Sequence, residues 1–205
     1  MSVLAVISDP KDEVRIDVLR ERQMLEQAIR SHGYELSVLI NPEQEQLVGA
    51  LASEPHIVHY VGHAGSSVDE SGSLILPSDE GLTHWIDAST VARVLPSSVR
   101  LLCVGSCFTA PNYDLRGLLR FAYAPPSLAL PTFVTNQTQL WNGDRVLDFW
   151  RTFYHTLHKT GETVEAIHRA RRALAGAGGS ACEWGSFSAV LRDNSGVVFT
   201  RQPAA

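Results

Sequence analysis

Two apolar runs of the sequence end in residues that can do nucleophilic chemistry. HIVHYVGHAG, residues 56 to 65, carries three histidines, and LLCVGSCFTA, residues 101 to 110, carries Cys103 and Cys107. The isoleucine, valine and tyrosine between the histidines favour a strand over a helix. On a strand His59 and His63 stand ~13 Å apart, too far to share one metal; a zinc pair at this spacing would need a helix. We therefore expect no metal and no other cofactor. His63 ends its run between Gly62 and Ala64-Gly65, small residues that allow a sharp turn and close approach of a second backbone or a substrate. His56 and His59 read as strand-start and core residues.

Cys107 is the counterpart of His63. It follows an apolar strand and the small-residue turn Gly105-Ser106. A histidine beside a thiol favours the thiolate and carries the proton, and a turn at the nucleophile aims backbone N–H groups at an oxyanion. Cys103 lies mid-strand and reads as a small buried hydrophobe. Cys182, behind the AGAGGS stretch, reads as incidental. Ser106 is a rival nucleophile, but the Gly-x-Ser-x-Gly elbow is absent.

The elements around these residues alternate β-rich runs with amphipathic helical ones, the pattern of a parallel sheet covered on both faces. VLAVIS, ELSVLI, HIVHYV and VRLLCVG read as strands, and SLILP as a short strand or hairpin arm. Val14, Val18, Leu25 and Ile29 make a helical stripe, and Asn41-Pro42 looks like a helix start. A short helix covers 87 to 95, DLRGLLRFAYA is a plausible helix, and LPTFVTNQTQLW is another strand. Val146, Phe149, Phe153 and Leu157 share one helix face, a second helix runs from Glu162 to Leu174, AGAGGS is a flexible joint, and FSAVLR is a last strand. In an open parallel sheet, sites lie outside the carboxyl ends of strands, often where the winding switches. Both His63 and Cys107 fall at such ends, so they can meet.

Composition bounds the rest. With 205 residues, 44% of them hydrophobic, the chain is expected to form a single domain, residues 1–205, around one core. A net charge of -5 offers no counterion-release surface, so no nucleic-acid partner is expected. No run approaches the ~20 apolar residues of a membrane span, and the N-terminus has no signal-peptide pattern; we expect a cytoplasmic protein without a membrane partner. Three cysteines in a reducing compartment do not suggest disulfides. The Gly-rich AGAGGS follows a helix and lacks the Lys-Ser/Thr of a phosphate loop.

Taken in order, IVHYVGHAG, SLILPSDEGLTHWIDASTVARVL, RLLCVGSCF, LPTFVTNQTQLW, FYHTLHKTGETVEAIHRARRAL and EWGSFSAVL resemble the blocks of the CHAT domain, a caspase- and separase-like cysteine peptidase family. The resemblance runs from about the second strand to Val198. It implies a caspase-like three-layer α/β sandwich with a mostly parallel central sheet. It further implies a Cys-His dyad, with Cys107 as nucleophile and His63 as base and acid, and an oxyanion held by the N–H groups of Ala64 and Cys107. The family's glycine after the histidine is Ala64 here. The acid that metacaspase-like relatives carry two residues before the nucleophile is Gly105, which removes that basis for cutting after arginine or lysine. Trp141 and Asp144 fall where the family often carries a Trp and an acid, and are candidate substrate-binding residues; for Asp144 the alternative is a helix-start acid.

The leading expectation is thus a cysteine endopeptidase that cleaves a partner protein through an acyl-enzyme, in bacterial defence or regulated cell death. Relatives often carry a sensor in the same chain. None fits here, so the expectation is either constitutive activity or control by a separate activator or sensor protein, a fused region or oligomerisation. The second reading is a caspase-like interaction module that does not cleave, against which the presence of both His63 and Cys107 argues. A third is a small-molecule cysteine hydrolase. Oligomeric state, substrate and the group that orients His63 are not legible in the sequence.

Overall fold

The structure is a computed structural model that describes residues 1–66, 72–106, 132–136, 143–180, 185–191 and 196–200. In chain order its elements are β1 (Ser2–Ile7), α1 (Val18–Arg30), β2 (Glu35–Ile40), α2 (Gln44–Leu51), β3 (Ile57–Gly62), β4 (Ala64–Ser66), β5 (Gly72–Pro77), β6 (Thr83–Asp87), α3 (Ala88–Val94), β7 (Leu101–Ser106), β8 (Thr132–Asn136), α4 (Gly143–Thr160), α5 (Thr163–Gly176) and β9 (Phe187–Leu191).

Six strands form the central sheet in the order β2-β1-β3-β7-β8-β9. All neighbours are parallel except β8 and β9. The apolar runs of β1, β3 and β7 occupy its middle, buried on both faces, as strands of a covered parallel sheet must be. Alternation sorts their side chains. Val3, Ala5, Ile7, Ile57, Val61, Leu101 and Cys103 pack against α1, α4 and α5. Leu4, Val6, Val58, Tyr60, Leu102 and Val104 pack against α2, α3 and the small antiparallel sheet β4-β5-β6. These are the three layers of a caspase-like α/β sandwich.

The chain winds from β1 outward to β2, then crosses back over β1 to place β3 on its other side. The winding reverses between β1 and β3, which makes their carboxyl ends the place where a crevice forms.

Several local expectations change. Val14 is not on the α1 stripe: α1 starts at Val18 behind the N-cap Asp17, whose side chain accepts from Arg20 N–H, and Val14 is 66% exposed. Asn41 does not cap α2. It takes a left-handed φ of 48°, its Oδ1 accepts from Asp9 N–H, and Glu43 is the N-cap. The hairpin arm SLILP acquires the partner β6 and, on its other side, the short β4. The AGAGGS stretch begins as the last turn of α5 and ends it, with Gly178 at φ +81° and Gly179 N–H donating to Leu174 O, a glycine C-cap. The sequence from 107 to 131, with the helix read in DLRGLLRFAYA, lies outside the described residues.

Candidate active site

The carboxyl end of β3 is shaped by Tyr60 and Gly62. The buried Tyr60 hydroxyl sits 2.6 Å from the His63 carbonyl and 2.7 Å from that of Ile75, while Ser8 Oγ donates to Ile75 O at 2.6 Å. A β-carbon at position 62 would collide with the Tyr60 hydroxyl and reach Ser8 O at 3.0 Å. Glycine is therefore required by the close approach of strand, tyrosine and hairpin. Burial pushes the Tyr60 phenol above its ordinary range, so it serves as a neutral strut beneath the backbone of His63.

His63 is buried, with 2% of its surface exposed. Its Nε2 lies 2.8 Å from the carbonyl oxygen of Val14. A carbonyl only accepts, so Nε2 is the donor, and the tautomer this selects has its lone pair on Nδ1. Nδ1 is then the atom able to take a proton from a thiol. The carbonyl is braced in turn: buried Asp9 accepts from Ile16 N–H at 2.9 Å and pairs with Arg15 at 2.7 Å, and Asp9 N–H donates to Asn41 Oδ1 at 2.7 Å. The loop after β1 and the end of β3 thus meet at the winding reversal. Val14 is the orienting group that sequence reasoning missed. Every residue has a carbonyl, so no side-chain pattern marks the one that matters; the nearest signal was Asp9, an acid directly after a buried strand.

On the neighbouring strand, β7 pairs with β3 in parallel, and the register matches Gly62 with Ser106. Those two residues immediately precede His63 and Cys107 in the sequence, and paired strands run ~4.8 Å apart. Cys107 itself, Trp141 and Cys182 lie outside the described residues. Ala64 opens β4, is buried, and registers with Leu74. Asp144 lies in the first turn of α4.

Four residues further down each strand stands a second histidine and cysteine. His59 and Cys103 are register partners, both fully buried. Tyr154 of α4 bridges them, its hydroxyl 2.6 Å from His59 Nδ1 and 4.0 Å from Cys103 Sγ. Burial lowers His59 to a pKa of about 3 and pushes the Cys103 thiol up. Neither ionises at neutral pH. The core reading of His59 and Cys103 thus holds, and exposed His56 sits just before β3 with Nδ1 2.9 Å from Ser2 Oγ.

Among the described residues no cluster of three or more His, Cys, Asp or Glu side chains could hold a metal ion. No described helix is long and apolar enough to cross a membrane.

A parallel sheet between helices and a small hairpin sheet, with a buried imidazole at the reversal of winding, defines a caspase-like α/β domain. The chain belongs to the CHAT domain family, whose sequence profile matches residues 4–192. In three dimensions it is similar to the crystal structure of the Drosophila initiator caspase Dronc (TM-score 0.58, 12% identity, 96% of this chain and 80% of that one). It is also similar to caspase-1 from Spodoptera frugiperda (TM-score 0.51, 12% identity, 84% and 75%). At such identities the likeness speaks for the fold. No curated protein matches the chain by sequence. Fold and family together support a cysteine peptidase-type function.

Proposed function

We propose that this chain is a cysteine endopeptidase with Cys107 as nucleophile and His63 as its base and acid. The observation that carries the reading is the register of β3 and β7: it pairs the residues preceding His63 and Cys107, at an end of the sheet where His63 Nε2 is already committed to Val14 O.

The residues would act as follows. His63 Nδ1 takes the thiol proton, and the thiolate attacks the carbonyl carbon of the scissile peptide. The oxyanion accepts hydrogen bonds from the N–H groups of Ala64 and Cys107. The C–N bond breaks as His63 returns the proton to the leaving amine, and a thioester remains on Cys107. Water, deprotonated by His63, then attacks the thioester; the acid leaves and the thiol is restored. The Val14 carbonyl holds the ring in one tautomer and stabilises the imidazolium formed in each half-reaction. Trp141 and Asp144 are candidate contacts to the substrate.

The reading extends to a protein substrate in the cytoplasm, in bacterial defence or regulated cell death, with a separate activator or sensor protein as one form of control. The test is to incubate the wild type and Cys107→Ala with a diverse peptide library and map cuts by mass spectrometry. Cuts made only by the wild type are the expected result. If neither cuts and Cys107 is alkylated no faster than Cys103 and Cys182, the catalytic reading falls and the interaction module takes its place.

A further inference from the structure

A cavity of about 330 Å³ opens where the loop after β1, the turn from β2 into α2 and the β5–β6 turn meet, and its lining includes Asp9, Lys11, Arg15, Glu43 and Asp79. The walls are tied to one another. Lys11 N–H donates to Gly81 O at 2.9 Å, Lys11 Nζ to Glu80 O at 2.9 Å, and Thr83 N–H to Asp12 Oδ1 at 2.8 Å. The space is thus built into the fold, and its size is that of a small-molecule site.

Its fixed charge is negative. The Asp9 side chain has no exposed surface, whereas the Arg15 side chain that pairs with it at 2.7 Å is 66% exposed. That contact lacks the alignment of a hydrogen bond: buried Asp9 Oδ2 accepts none, while Oδ1 takes the N–H of Ile16. A buried carboxylate needs a cation beside it, but a mostly exposed guanidinium is weakly held and exchanges readily for another cation. With Arg15 swung out, the carboxylates of Asp9, Glu43 and Asp79 line the space against Lys11 alone, leaving two negative charges unmatched. Among the described residues no three such side chains converge to hold a metal ion. The charge is spread along the cavity, which suits an extended cation better than a point ion.

We infer that this cavity binds a small aliphatic dication, a diamine or a guanidino-amine, with one cationic end replacing Arg15 on Asp9 Oδ2 and the other facing Glu43 and Asp79. An anion would meet a carboxylate that cannot leave. The ligand shares Asp9 with the loop that follows β1: Asp9 Oδ1 holds Ile16 N–H, two residues beyond the Val14 carbonyl that engages His63. It therefore rests against the group that braces the buried imidazole.

The test is calorimetric titration of the whole chain with agmatine, with butylguanidine as the matching monocation and inorganic phosphate as the anion. Agmatine is expected to bind about tenfold more tightly than butylguanidine, the gain from a second, partly solvated ion pair, and phosphate is expected not to bind. Arg15→Gln removes the internal competitor and should tighten agmatine binding by about fivefold, the reverse of what an anion site would show. Glu43→Gln combined with Asp79→Asn, both at exposed positions, should bring agmatine down to the affinity of the monocation. Glu165→Gln, on α5 and outside the cavity, should leave it unchanged. Absence of agmatine binding, equal affinity for the two guanidines, weaker binding in Arg15→Gln, or the same loss in Glu165→Gln overturns the inference; the last would mark diffuse attraction to an acidic chain. No readout involves Cys107, so the peptidase reading is untouched by either result.

Discussion

The same pair of residue types occurs twice in the sequence: His59 and Cys103 lie within β3 and β7, and His63 and Cys107 come four residues later, directly after the last residues of those strands. His59 and Cys103 are register partners in the dry middle of the sheet. His63 follows at its carboxyl edge, and Cys107 is the residue after β7 in the sequence. In the inner pair, burial drives the imidazole and the thiol toward their neutral forms, and a tyrosine, itself neutral, occupies the ring nitrogen. At the outer end, His63 is buried too, but its proton is fixed by a carbonyl at the mouth of the sheet. Histidine next to cysteine is therefore not a catalytic signature. On the peptidase reading, position along the strand and which nitrogen is engaged separate filling from machinery.

Four measurements would break or sharpen this contrast. The largest effect is expected in thiol reactivity at neutral pH. Cys103 reacts with iodoacetamide only through the unfolded fraction, about 10⁻³ or less of molecules, so its rate should trail that of Cys107 by about a thousandfold or more; peptide mapping of a time course checks it. Next, His63→Ala should lower cleavage by about 10³-fold, and should slow Cys107 alkylation, whereas His59→Leu leaves that alkylation rate within a few-fold. Parallel rate losses in the two variants would erase the distinction drawn here.

The third effect is on stability against pH. An unfolded His59 takes up a proton as the pH falls through 6.5, but the folded ring resists until about 3. Stability present at neutral pH is lost on acidification across that window, by about 3 kcal/mol between pH 7 and 4.5. Urea midpoints at the two pH values should converge in His59→Leu. The smallest effect concerns Tyr154→Phe. It removes the hydroxyl that partners His59 Nδ1 and should destabilise the fold by about 1–3 kcal/mol, read by urea unfolding, without slowing alkylation of Cys107.

The central sheet was legible because β1, β3 and β7 are uninterrupted apolar runs, and a strand buried on both faces leaves little else to write. The core roles of His59 and Cys103 were legible for the same reason. β6 was less so: in THWID the histidine and tryptophan are exposed and only Ile86 is buried, so no alternation announces a strand, and the pairing to β5 supplies it. Val14 misled because its spacing continues the α1 stripe, although the helix cannot start before its cap at Asp17. Asn41-Pro42 looked like a helix start, but asparagine also tolerates a positive φ, and here that conformation lets its side chain hold Asp9. The site was half legible. The imidazole stood out by type and setting, while its partner is main chain and carries no letter.

That main-chain partner has an evolutionary consequence. The Val14 side chain points into solvent while its carbonyl holds the imidazole, so the two are separately mutable. Position 14 can change identity without disturbing the hydrogen bond to His63, because any residue there supplies the same carbonyl. Divergence in descendants of this fold should therefore accumulate at residues such as this one, one hydrogen bond from the imidazole and invisible to it.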